Sequence, residues 1–326
     1  MGLAKHRKLL YIPILVTLFP EPGWRRRGLY ALLIPLLLTL LLSYLQALHL
    51  WHGGKAFAVH GYAIANYYVF KTHITQNLLL AMVAYALLLV ALYGQSPGKR
   101  LVAGIVGVLA VIDVLFLVQG RTGYAVLAAL VIWLLYQWRG WRGSVAGVVL
   151  LALIGGLAAG LSEGFRTRVM RVGDAQLVDN PYTNTKLSDQ FRWMFYRNSL
   201  TLIASHPLVG TGTGSFSPVY DGLVQGHEGV AGWVTHNPHN EYLFLAIEWG
   251  LIGLGSFLTL LFLQWRLAGR LPGLDARLAT GLVIAFAGGC LFNSLLLDFT
   301  EGHVFTYLSG LLYAGLRVDR AVGGVV

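Results

Sequence analysis

The sequence predicts an all-α, polytopic membrane bundle of about eight full transmembrane helices plus an N-terminal fragment, with a large, partly helical outer loop. Three observations predict it. The 326 residues are 56% hydrophobic and only 12% charged, with a mean hydropathy of +0.64, whereas soluble domains carry roughly 25% charged residues. Apolar runs of membrane-crossing length recur along the chain. The charges between those runs fall on alternate sides in a consistent way.

The runs lie at about 28–48, 76–94, 101–119, 122–138, 144–161, 241–265, 278–297 and 303–317, the fourth and last being short. Leu9 to Phe19 is shorter still and ends in PEPG, so it reads as a half-helix, an interfacial segment or the remnant of a helix truncated upstream. It has no small-residue cleavage site, which argues against a signal peptide. The single cysteine, Cys290, excludes an intrachain disulfide and reads as a small core residue. The expected organisation is one integral membrane domain, 1–326, holding a loop at 162–240.

Arg25 to Arg27, Lys99, Arg100, Arg139, Arg142, Arg266, Arg270, Arg277, Arg317 and Arg320 all fall on one side, which the positive-inside rule makes the cytoplasm. The basic excess is therefore a topology signal rather than a nucleic-acid footprint. Nine of the ten histidines, all but His6, fall on the other side: His49, His52, His60, His73, His206, His227, His236, His239 and His303. Cytoplasmic connections are short and basic, with no room for a nucleotide site or a soluble catalytic domain. Any chemistry is expected outside.

The 162–240 segment is long enough to carry structure of its own. Within it, SDQFRWMFYRNSLTLIAS (188–205) reads as an amphipathic helix capped by Ser188, with Phe191, Phe195 and Leu202 on its apolar stripe and Arg192, Tyr196 and Ser199 on another face. PLVGTGTGSF follows. No GK[ST] comes after it and no strand before it, so a glycine-rich turn explains it better than a phosphate loop.

Arg121 in QGRTG sits between two apolar runs, where a charge either snorkels to the interface or belongs to a site. Several outer arginines facing one cavity, Arg121, Arg192 and Arg197 among them, would bind a diphosphate bidentately. In HNPHNEYLFLAIEWG (236–250), Asn237 reads as a helix cap, Pro238 as the first helical residue and His239 as a member of the first turn. There the helix dipole disfavours imidazolium, and a neutral histidine can act as a general base. The competing reading is a capping or interfacial histidine. His236 and His239 have a metal-pair spacing, but the proline between them and the lack of a third ligand argue against a metal. Glu241 reads as support for the helix start and Glu248 as a buried partner or part of a cavity. Asp298, Glu301 and His303 in DFTEGH are placed to orient His239 or an acceptor. Lys71, His73 and Tyr242 are weaker candidates, around a donor or at the interface.

Four segments, KTHITQN (71–77), QGRTGY (119–124), FRWMFYRNSLTLIASHPLVGTGTGSF (191–216) and HNEYLFLAIEWGLIG (239–253), resemble the bacterial O-antigen ligase family and its O-antigen polymerase relatives. The resemblance implies an inner-membrane glycosyltransferase that moves a glycan from undecaprenyl diphosphate to the lipid A core oligosaccharide on the periplasmic face. It implies a metal-independent, inverting transfer in which His239 takes the acceptor's proton and Arg121 and Arg192 bind the departing diphosphate. It also implies more membrane helices than this chain carries, hence an incomplete or shortened N-terminus. A polymerase or a protein O-oligosaccharyltransferase would use the same donor. A transporter or flippase of lipid-linked glycans is opposed by the one-sided placement of polar groups and the absence of matching broken helices.

Overall fold

The computed structural model describes residues 6–51, 67–118, 120–161 and 185–317, with side chains of the last stretch described from Phe191 on. Lys55, His52, His60, Gln119 and the first part of the long loop lie outside the described residues. The long elements among the described residues are helices: α1 (Tyr11–Leu18), α2 (Pro22–Ala47), α3 (His73–Tyr93), α4 (Pro97–Ile112, with a π turn at Asp113–Leu117), α5 (Arg121–Arg139), α6 (Trp141–Leu161), α7 (Thr185–Ser205), α8 (Phe216–Val224), α9 (Glu241–Ala268), α10 (Gly273–Gly289) and α11 (Phe299–Tyr313). Each of the eight predicted runs is helical over most of its length, the 278–297 run only to Gly289. Five helices are long and apolar enough to cross a membrane: α2, α3, α4 with its π turn, α6 and α9. The protein is a multi-pass membrane protein.

Of the other three, α5 spans 19 residues and α11 begins ahead of its already short run, whereas α10 ends before its run does. α10 and α11 stop at 17 and 15 residues. Most of α11 is buried against its neighbours, and backbone that leaves the helix at such depth is tolerated when protein rather than lipid surrounds it. α3 forms the centre, packed on α4, α5 and α10. The outer faces of α4, α6 and α9 expose apolar side chains such as Leu101, Leu153 and Ile252, which suits a surface solvated by acyl chains. α1 is a half-length helix lying on α11.

The two ends of the bundle differ chemically. At one end Arg25 pairs with Asp275 at 3.3 Å, Arg277 donates to the Gln137 carbonyl and lies over the Tyr93 ring, and Arg100 donates to the Ala91 carbonyl. Arginines also cover Trp24, Trp138 and Trp141, the arrangement of an interfacial aromatic belt. The loops that looked basic in the sequence are therefore together in space. At the opposite end gather the starts of α3, α5, α9 and α11, linked by the bonds described below. His6 belongs here too, 3.5 Å from Glu241, so the one histidine assigned to the basic side joins the others.

KTHITQN is the polar stitch of this end. Thr72 caps α3 by accepting from the Thr75 amide. Gln76 accepts from the amides of Val69 and Phe70. Asn77 donates to the carbonyls of Val114 and Val118, which the π turn frees from the regular ladder.

α9 is broken at Gly250, whose φ of 62° and ψ of −158° are not helical. The glycine-rich turn fills the break: the Thr211 and Gly212 amides donate to the carbonyls of Ile247 and Glu248, and the Leu251 and Ile252 amides donate to those of Pro207 and Leu208. PLVGTG is thus a backbone plug for a discontinuous helix, which accounts for its glycines without a phosphate. A Cβ on Gly250 would overlap the Leu208 carbonyl. Gly250→Ala should lose roughly 1–2 kcal/mol to left-handed strain and about 1–3 kcal/mol to overpacking. Thermal unfolding in detergent checks this, and an unchanged midpoint would exclude the plug as a stabilising element.

Candidate functional site

The HNPHNEYL turn differs from the sequence expectation. Asn240, not Asn237, caps α9: its side chain accepts from the Leu243 amide at 3.1 Å and donates to the Leu291 carbonyl at 3.0 Å. Asn237 instead folds the preceding turn, its Oδ1 accepting from the His239 amide and from Ser294 Oγ, both at 2.7 Å. Pro238 and His239 therefore precede the helix, and His239 is outside the first turn. The two asparagines offer the same capping chemistry, and tertiary bonds to 291–294 decide between them. His239 has a φ of 56°, a left-handed conformation that costs of order 1 kcal/mol in a non-glycine residue. The flanking asparagines hold it there.

α7 spans Thr185–Ser205 among the described residues, so Ser188 lies within the helix rather than ahead of it. Its predicted faces are otherwise present. Phe191, Phe195 and Leu202 are buried; Phe195 stacks on the His239 ring with centroids 6.0 Å apart. Tyr196 donates to the Leu291 carbonyl at 2.9 Å and to the His239 carbonyl at 3.4 Å. Arg192, one turn away on the same face, is half-buried and near enough to lower the proton affinity of His239. Burial is the larger cause of that lowering, Arg192 the second, and a hydrogen bond with Asn293 opposes both. The imidazole is thus held neutral at pH 7 by desolvation and a neighbouring cation rather than by the helix start.

Asn293 connects this histidine to the second arginine. Its Nδ2 donates to Thr122 Oγ1 at 2.7 Å in a buried contact, which leaves the amide oxygen for the His239 ring. Thr122 follows Arg121, and Arg121 is the first residue of α5 after the Gly120 cap position. A half-buried guanidinium at a helix N-terminus adds to the positive potential of the free amides there, an arrangement suited to an anion. His239, Arg192 and Arg121 thus belong to one polar region at the end of the bundle opposite the basic loops. Asn293 and Thr122 were missed in the sequence. The available signal was NS in the apolar run LFNSLLLDF, polar residues where a span was expected.

The weaker candidates separate. Arg197 is exposed on a neighbouring face of α7. His236 is exposed and faces Ser217 Oγ at 3.0 Å. Glu241 is fully buried and does more than start the helix: its Oε2 accepts from the Leu296 and Leu297 amides at 2.8 and 3.3 Å. Tyr242 donates to the Ala287 carbonyl at 2.8 Å and packs on Phe257, as a helix-packing residue. Lys71 pairs with Asp298 and, at 3.2 Å, with Glu301. Glu301 also accepts from Thr75 at 2.6 Å, and Lys8 donates to the Asp298 carbonyl. These groups clamp the starts of α3 and α11 to the segment before α1, so Asp298 and Glu301 are engaged with lysines rather than with His239. His73 packs on Tyr68, and His303 bonds the Phe299 carbonyl and packs on Tyr11. Glu248 is buried, its Oε1 accepting from the Phe216 amide at 3.4 Å beside the plugged break.

A family model described as O-Antigen ligase matches residues 105–258, a span that runs from α4 past the break in α9 and contains Arg121, Arg192 and His239. No curated protein sequence matches the chain. Residues 105–258 are thus similar to the O-antigen ligase family.

Proposed function

We propose that the protein transfers a glycan from undecaprenyl diphosphate to the lipid A core oligosaccharide, at the periplasmic face of a bacterial inner membrane, without a metal and with inversion at the sugar. One observation carries the reading: a neutral, half-buried His239 lies beside Arg192 and is tied through Asn293 and Thr122 to Arg121 at a helix start. In the transfer, the acceptor hydroxyl gives its proton to His239 as its oxygen attacks the anomeric carbon. The bond to the diphosphate breaks, and Arg121 and Arg192 stabilise the charge that develops on the leaving oxygens. The positive-inside rule supports the sidedness, because the arginine-collared end lies opposite the site. The chain acts as one membrane domain, 1–326, with the 162–240 loop supplying Arg192.

The test is transfer by purified protein in detergent, with undecaprenyl-diphosphate glycan and lipid A core, chelator present and nucleotide absent. Product is expected from the wild type. Product only when O-units or an acceptor protein replace lipid A core would reassign the enzyme as a polymerase or a protein O-oligosaccharyltransferase. Absence of product with all three acceptors from folded protein would reject glycan transfer.

A further inference from the structure

Beside the His239 region lies a cleft of about 370 Å³ that the reaction above does not use, bounded by α7, α8 and the turn at 229–232. It lies within the size range of small-ligand sites, roughly 300–1,000 Å³. A helix turns once in about 3.6 residues, so Arg192, Phe195, Tyr196 and Ser199 share the face toward His239, whereas Arg197, Asn198 and Thr201 lie on the opposite side of α7, with Trp193 at the edge between the two. Those four line the cleft, with Leu223 on the α8 side and His227 beyond it.

Their chemistry is that of sugar recognition. Trp193 is 70% exposed and offers a large planar apolar face at the rim of the cleft. Around it stand a guanidinium, an amide, a hydroxyl and an imidazole, which together supply donors and acceptors for hydroxyl groups. The Asn198 amide is oriented by its 3.1 Å bond to the Tyr220 hydroxyl, and Tyr220 is fully buried, so this polar group is held in place. A sugar reacting at His239 lies against the other side of the same helix, and Trp193 borders both sides. The cleft is therefore placed for a sugar further along the chain.

We propose that this cleft is a saccharide subsite in which Trp193 stacks on a pyranose ring and Arg197, Asn198 and Thr201 bond its hydroxyls, holding a glycan residue beyond the one being transferred. The proposal rests on the glycan-transfer reading. It assigns Arg197 to chain binding rather than to the diphosphate.

The experiment compares Trp193→Ala, Trp193→Phe and wild type. Donors and acceptors are trimmed to a single sugar or left full length, each varied separately. Trp193→Ala should raise KM about tenfold for the long substrate that reaches the cleft, with kcat within about twofold and Trp193→Phe intermediate. Single-sugar substrates should be unaffected. The arm that responds identifies donor or acceptor as the occupant. Equal effects on long and short substrates would assign Trp193 to the membrane interface and overturn the subsite, as would no effect. Binding of the water-soluble oligosaccharide released from the source strain's surface glycolipid is measured alongside. It should be weakened by Trp193→Ala and kept by His239→Ala, a result independent of turnover. No binding to folded wild type also overturns the subsite, whereas binding without transfer counts against the transfer chemistry alone.

Discussion

His239→Ala should lower transfer by about 10²- to 10⁴-fold, the usual contribution of a positioned general base, while leaving donor affinity close to wild type. The ring is not part of the framework that shapes the turn. Asn237 bonds the His239 backbone amide and Asn240 caps α9 with its own side chain, so both persist when the imidazole is removed. A capping or interfacial histidine would behave differently: the variant would lose protein level or melting temperature, and the surviving fraction would turn over normally. The pH profile provides a second readout. The base works in its neutral form, and burial and Arg192 lower its proton affinity from the ordinary value of 6.5. Activity should therefore hold at neutral pH and fall only below the usual histidine range. Arg192→Gln removes a cation and should move that acid limb upward. Asn293→Leu removes a bond that favours the protonated ring and should move it downward, with a lower plateau because the ring is no longer oriented. An acid limb that stays in place in both variants would separate His239 from the titration.

The sequence showed what depends on composition and period. Apolar runs marked every long membrane helix, and the alternation of basic loops placed Arg25, Arg100, Arg139 and Arg277 at one end, where they lie. The faces of α7 were legible because a 3.6-residue period is local. What failed was decided by distant partners. Asn237 and Asn240 are equally good caps in isolation, and bonds from Ser294 and to Leu291 choose between them. The break at Gly250 was unreadable because its freed carbonyls and amides are satisfied by 207–212, some forty residues earlier. Lys71, His73 and His303 resembled site residues because they are polar groups near the same bundle end; Lys71 is held in the carboxylate clamp, and the two histidines pack on aromatic neighbours. Asn293 was hidden in a run read as an uninterrupted span.

Arg121→Lys and Arg192→Lys should each reduce kcat by about 10²-fold, the scale of losing one preorganised donor to a developing oxyanion, with much smaller changes in donor KM. Lysine keeps the charge, so ground-state attraction for a diphosphate persists. It lacks the planar fork that meets two oxygens at once. The two positions are not equivalent. Arg121 stands at the start of α5, where the helix amides reinforce its field, so Arg121→Gln retains part of the anion site. Arg192 sits mid-helix on α7 and also lowers the proton affinity of His239, so Arg192→Gln loses leaving-group stabilisation and makes the base easier to protonate. The penalty at Arg192 should therefore grow as pH falls, and the penalty at Arg121 should not. Steady-state rates across the acid limb separate the two. Lysine variants that both turn over at the wild-type rate would remove these arginines from the reacting diphosphate.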